Sequence, residues 1–316
     1  MTVSAARIVL IVAALAASSG TLAQETQQPI APKELVAPDI PGVVKGGTKI
    51  VRISEGGFNG GEGAITMTDG SLLFAEQGAA RILKVDKQDR FTTYLTHTNT
   101  SLSLAYDHKG RLLATQWDPP SIGVLAPTRG TLASSFEGQH LVHPNDLVVD
   151  RKGGVYFTDQ TVSRGVPVPD TPPGRKPLLF YIRPDGTLTK LTEDIGDPNG
   201  IQLSPDEKTL YATNRTVIVA FDVQPDGSVR NSRTFAMSGG DGMTVDNAGR
   251  LYVVVPNMQA VRVFSPRGQE LGQIPTGVTQ FSAAFAGPQK KTFYIVGRGG
   301  VQKLQMIAEG VRSRAK

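Results

Sequence analysis

One unit recurs six times along the chain, and it leaves few folds open. Each copy is a short apolar strand, a polar turn and a second apolar strand. The copies are GAITMTDGSLLFAE (63–76), LSLAYDHKGRLLATQ (102–116), NDLVVDRKGGVYFTDQ (145–160), NGIQLSPDEKTLYATN (199–214), DGMTVDNAGRLYVVV (241–255) and SAAFAGPQKKTFYIV (282–296). An apolar or aromatic position early in the second strand serves as landmark: Leu73, Leu113, Tyr156, Tyr211, Tyr252 and Tyr294. The intervals between landmarks are 40, 43, 55, 41 and 42 residues. The long interval holds the insertion TVSRGVPVPDTPPGRKP (161–177), whose prolines predict a surface loop. Further alternating stretches follow the copies, such as LLFYIRPDGTLTKL (178–191) and IVAFDVQPDGSV (218–229), and read as hairpins. Four antiparallel strands repeated at this period predict an all-β, six-bladed β-propeller over residues 47–306. The strand TKIVRIS (48–54) precedes the first unit and the last unit lacks an outer strand, so the two ends are expected to complete one blade together.

Composition narrows the chemistry. There is no cysteine among the 316 residues, so disulfides, thiol catalysis and cysteine zinc sites are excluded. The net charge of +5 is small and spread out, which argues against nucleic acid as a partner. At the front, Arg7, the apolar run IVLIVAALAA (8–17) and Thr21-Leu22-Ala23 have the form of a signal peptide cleaved after Ala23. The run is short for a bilayer span. The expectation is a secreted or periplasmic protein with no stable membrane span after cleavage. Residues 24–46 are proline-rich without periodicity and read as an extended linker; residues 307–316 read as a basic tail.

The inner strands of a propeller begin at one mouth of a central channel. Eleven residues before the landmarks of blades one, three and five stand Glu62, Asn145 and Asp241; twelve before Tyr211, after a longer turn, stands Asn199. Four blades thus place oxygen donors in one register. Two carboxylates crowded together repel unless a cation joins them. Two carboxylates and two amide oxygens suit Ca2+, with Zn2+, Mn2+ or Mg2+ as other divalent candidates. Gly63, Gly200 and Gly242 follow three of the four and allow close backbone approach. The far ends of the second strands return Glu76, Gln116, Asp159, Asn214, Asn257 and Arg298 to the same mouth as substrate contacts or supports. His143 shares a face with Asn145 on an extended strand. Asp146 is placed to orient Asn145, and the single tryptophan, Trp117, is expected in packing or a pocket wall.

HPNDLVVDRKGGVYFTD (143–159), DPNGIQLSPDEKTLYATN (197–214) and GDGMTVDNAGRLYV (240–253) resemble the senescence-marker-protein/gluconolactonase family. The resemblance implies a six-bladed propeller with calcium-dependent lactonase activity. Similar sites occur in diisopropylfluorophosphatases and, more remotely, paraoxonases. It implies metal ligation by Glu62, Asn199 and Asp241, with Asn145 as ligand or substrate contact. Alanine stands at 64 where the family carries proline after Glu-Gly. The function expected is therefore a metal-dependent hydrolase opening a lactone ring, with Asp241 as base and Glu62 second. Phosphotriesterase or arylesterase activity at the same site is the alternative within enzymes. A calcium-stabilised binding propeller without turnover is the alternative outside them.

Overall fold

The computed structural model describes residues 34–54, 58, 60–163, 166–314 and 316. The leader read at 1–23 and the first part of the proline-rich stretch lie outside the described residues. No helix among the described residues is long and apolar enough to cross a membrane.

Six four-stranded antiparallel sheets follow one another along the chain, within 61–96, 101–133, 144–192, 198–236 and 243–275, with the sixth built from 282–305 and Val51–Arg52. In that sixth blade Val51 pairs with Lys303 and Arg52 with Gln302, so the chain's front supplies the missing outer strand, as expected. Alternation explains why the sheets form a ring. Successive residues of a strand face opposite sides, and here both sides meet a neighbouring blade. Leu72 and Phe74 pack with Ala284, Tyr294 and Val296 of the sixth blade, whereas Leu73 and Ala75 pack with Leu104, Leu112 and Ala114 of the second. Six such apolar clusters lie one at each interface between consecutive blades. The innermost strands are buried and the outermost, such as Phe91–Thr96, largely exposed.

Two features aim the mouth of the channel. In the first four blades the inner strand gains one residue over its partner, between Glu62 and Ile65, Ser101 and Leu104, Pro144 and Leu147, and Pro198 and Ile201. Such a bulge redirects side chains, and three of the four lie where the oxygen donors sit. Glycine makes the approach of blades possible. A Cβ on Gly63, held at φ +60°, would lie 2.3 Å from the Leu102 carbonyl oxygen, and one on Gly200 would lie 2.2 Å from that of Asp241.

The ends of the chain differ from expectation. From residue 34 the proline-rich segment is not a free linker: Ala37, Ile40, Val43 and Val44 are buried with Tyr252, Phe285 and Phe293 of the last two blades. The tail is packed too, with Ala308, Val311 and Lys316 buried. The insertion of the third blade carries a small ribbon, Val162–Ser163 against Val166–Pro167.

Candidate functional site

Glu62, Asn145, Asn199 and Asp241 line one well of about 180 Å³ at the mouth of the channel, walled by Trp117, Ser163, Phe281 and Arg298. A wider cavity of about 630 Å³ opens beside it, shares Asn199, Asp241, Phe281 and Arg298 with it, and adds Arg215 and Met258. Asn145 and Asp241 are buried, 6% and 5% exposed, and Glu62 and Asn199 are half-buried. Thus the shared register read from the sequence brings four donors from four blades together.

Each donor is held by its neighbours. Asn145 donates from Nδ2 to Gln160 Oε1 at 3.1 Å, which leaves its amide oxygen as the electron-pair donor. The Oδ1 atom of Asn199 is buried and has no hydrogen-bond partner among the described residues, a costly condition for an amide oxygen unless something else satisfies it. The Asp241 amide donates to Val254 O at 2.8 Å, and Gly242 N donates to Phe281 O in the next blade at 2.8 Å. No group of three or more Asp, Glu or His side chains among the described residues is placed to hold a metal ion by itself; the well holds two carboxylates and two amides.

Beneath the donors runs a ladder of threonines. Thr115 Oγ1 accepts from Ser103 N and donates to the Asn145 carbonyl at 2.9 Å. Thr158 Oγ1 accepts from Asp146 N and donates to the Asn199 carbonyl at 2.8 Å. Thr213 Oγ1 accepts from Gly200 N at 2.8 Å. In this way each of the two hydroxyls of Thr115 and Thr158 ties its own blade's bulge to the donor residue of the next blade. Sequence reasoning missed these threonines and Gln160. Their signal was present: Thr115, Thr158 and Thr213 all lie two residues after a landmark.

The remaining candidates divide. His143 stacks on Trp117 with ring centroids 3.6 Å apart, and Trp117 Nε1 donates to Pro144 O at 2.8 Å. Burial pushes the imidazole down to about 4, against the bond to Gln160. It is therefore neutral at pH 7 and part of the wall that supports Asn145. Arg298 lines the well and lies over the Phe281 ring at 5.8 Å. The oxygens of Asp159, Asn214 and Glu76 are taken up by neighbouring groups, the supporting one of the two roles read for them. Asp159 receives the amides of Val142 and His143 and an ion pair from Arg175 at 3.1 Å. Asn214 Oδ1 receives the amides of Gly196 and Asp197, and Glu76 pairs with Arg81 at 2.6 Å. These oxygens staple the loops around the mouth and do not line the well. Gln116 likewise donates to Thr98 O, while Asn257 lines the wider cavity. Asp146 is buried, and its amide donates to Thr158 Oγ1.

A six-bladed ring with a carboxylate–amide well at one mouth defines the class. The chain belongs to the SMP-30/gluconolactonase/LRE-like family, which matches residues 60–298. It is 29% identical over 234 residues to the lactonase drp35 of Staphylococcus haemolyticus, covering 67% of this chain and 68% of that protein. It is 26% identical over 224 residues to a lactonohydrolase of Aspergillus oryzae, covering 60% of this chain, and spans about half (51%) of that relative's length. Among solved structures, a gluconolactonase from Xanthomonas campestris superposes with a TM-score of 0.75 at 25% identity, over 89% of this chain and 99% of that one.

Proposed function

We propose that the well binds a divalent cation, calcium by its donor set, and that the protein is a metal-dependent hydrolase that opens a lactone ring. The observation that carries this reading is the Asn199 oxygen, buried and unsatisfied in a well that also holds two carboxylates and a second amide. Hard, all-oxygen donors of this kind suit calcium or a similar ion, and the lactonases among the relatives favour an ester ring as substrate. A bound divalent cation would supply Lewis-acid polarisation of the substrate carbonyl. The chain's own residues do the rest. Asp241 accepts the proton of the attacking water and returns it to the ring oxygen as the acyl C–O bond breaks, with Glu62 the second carboxylate in reach of the well. Asn145, fixed through Gln160, and Asn199, fixed through Thr158, would hold the cation beside that base with their amide oxygens. His143, neutral and stacked, keeps the Asn145 wall apolar and rigid. Arg298, shared by well and side cavity, is placed to receive the carboxylate released when the ring opens.

The test is a panel of five- and six-membered lactones, aryl esters and phosphotriesters, assayed with calcium and with chelator. Lactone opening should require calcium. Asp241→Asn keeps an oxygen for the cation and loses the base, so turnover should fall by about 10² to 10⁴ with a much smaller change in calcium affinity. No turnover on any substrate with calcium bound would leave a binding propeller in place of an enzyme.

A further inference from the structure

The channel below the well contains a buried ion pair whose cation comes from the far end of the chain. Lys316 Nζ contacts Asp146 Oδ1 and donates to Leu147 O at 3.3 Å, and the two side chains are 3% and 7% exposed. The route of the tail is fixed. Asn247 N donates to Glu309 O and Gly310 N to Lys290 O; Val311 is buried; Lys290 Nζ donates to Arg314 O at 2.6 Å; Arg314 Nη2 donates to Leu203 O and Ser204 O. These anchors lie around the turns that follow the inner strands, on the face opposite the mouth. The ammonium therefore enters the channel from below while the well opens above.

Asp146 gathers three blades. Ser103 of the second blade donates its hydroxyl to Oδ1, Leu147 of the third its amide at 2.9 Å, and Ile201 of the fourth its amide to Oδ2 at 2.9 Å. The amide of Asp146 itself donates to Thr158 Oγ1, whose hydroxyl holds the Asn199 carbonyl. Asp146 thus sits between Asn145, its chain neighbour, and the strand of Asn199. Where the other three donor residues are followed by glycine, this one is followed by a buried carboxylate. A buried carboxylate without a counter-ion is strongly destabilising.

We propose that the tail plugs the channel through the Lys316 side chain, which enters from the face opposite the mouth, and that Lys316 is the chain's own counter-ion there, a positioning residue that locks Asn145 and Asn199 through Asp146. The proposal rests on the reading of those two asparagines as cation donors. The ammonium reaches the pair on an apolar stem and uses two of its three hydrogens, to Asp146 and Leu147.

The experiment compares wild type, Lys316→Met, Lys316→Arg and the double variant Asp146→Asn/Lys316→Met, by melting in chelator and by calcium calorimetry well below melting. Lys316→Met should lower the melting temperature by roughly 5–10 °C, the size expected for stranding a buried charge in a domain of this length. It should also weaken calcium about tenfold or more, as removal of a ligand's support does. Lys316→Arg, which keeps the charge, should retain calcium affinity near wild type. The double variant buries no lone charge and should recover most of the lost melting temperature. Lower melting with unchanged calcium affinity would overturn the positioning role, and an unchanged melt would overturn the plug itself. A wild type that binds no calcium would instead sink the cation reading of the well, and the melts would still decide the plug.

Discussion

Thr158 carries two bonds that the mouth depends on, receiving the Asp146 amide and donating to the Asn199 carbonyl. Thr158→Val keeps the shape and strands both groups, each worth about 1–3 kcal/mol when buried and unsatisfied. The expected outcome is a lower melting temperature together with weaker calcium binding; loss of stability alone would confine the threonine to the core. His143 gives a second test. Its folded value of about 4 lies below the ordinary imidazole value of 6.5, so the unfolded chain binds the extra proton first. Stability contributed by the neutral ring is complete above about 6.5 and declines as pH falls toward 4. Acid melts of His143→Gln should show a shallower decline over that window; an identical slope would place the titration elsewhere. The four donors were legible because an offset of eleven residues from a landmark, twelve in the blade with the longer turn, placed them at one mouth. The threonines shared a register as well, but threonine is an ordinary strand former and its hydroxyl leaves no mark in an apolar alternation. For Asp159 and Asn214 the sequence left two roles open, substrate contact or support: they stand at the mouth, and the choice depends on the loops beside them, whose backbone amides take their oxygens.

Residues 34–50 show how a segment without periodicity can still be structural. Its prolines forbid a strand ladder, and that absence suggested a linker. Instead, Ile40 and Val44 form a tight turn through paired backbone bonds, Val43 O receives the amides of Ile307 and Ala308, and four apolar side chains enter the core between the last two blades. Ile40→Ala should therefore cost about 2–5 kcal/mol, as for any large buried aliphatic side chain, and a chain beginning at residue 47 should melt well below one beginning at 34. Equal melting temperatures for those two chains would restore the linker reading. The packing was illegible because it depends on which apolar surface the neighbouring blades leave uncovered. The composite sixth blade, in contrast, was legible: one unit lacked a strand and one strand lacked a unit. We propose that residues 1–23 are a leader removed on export, which leaves Gln24 first. N-terminal sequencing of protein recovered from the periplasm or medium checks it, and an intact Met1 there would contradict it.

The ring as a whole was fixed by period. Six copies at nearly equal spacing leave each blade with two apolar faces, and a closed ring covers all of them. The site then follows from symmetry, since equivalent positions of different blades must converge on the axis. What symmetry cannot supply is the departures from it: the Asp146 that replaces glycine, the tail beneath it, and the side cavity with Arg215 and Arg298. Those departures shape the cavity beside the well and how firmly the donors stand. The cation proposed for the well, held by four blades, would also tie the ring together. Binding only the folded form, it should add about 2.7 kcal/mol at a hundredfold excess over Kd, so chelator should lower the melting temperature and millimolar calcium raise it. The most direct measurement of the cation site is calorimetric titration of calcium into wild type and Asp241→Ala. One equivalent should bind wild type, and binding should vanish in the variant, which leaves a single carboxylate in the well. Calcium affinity unchanged by Asp241→Ala would contradict the site.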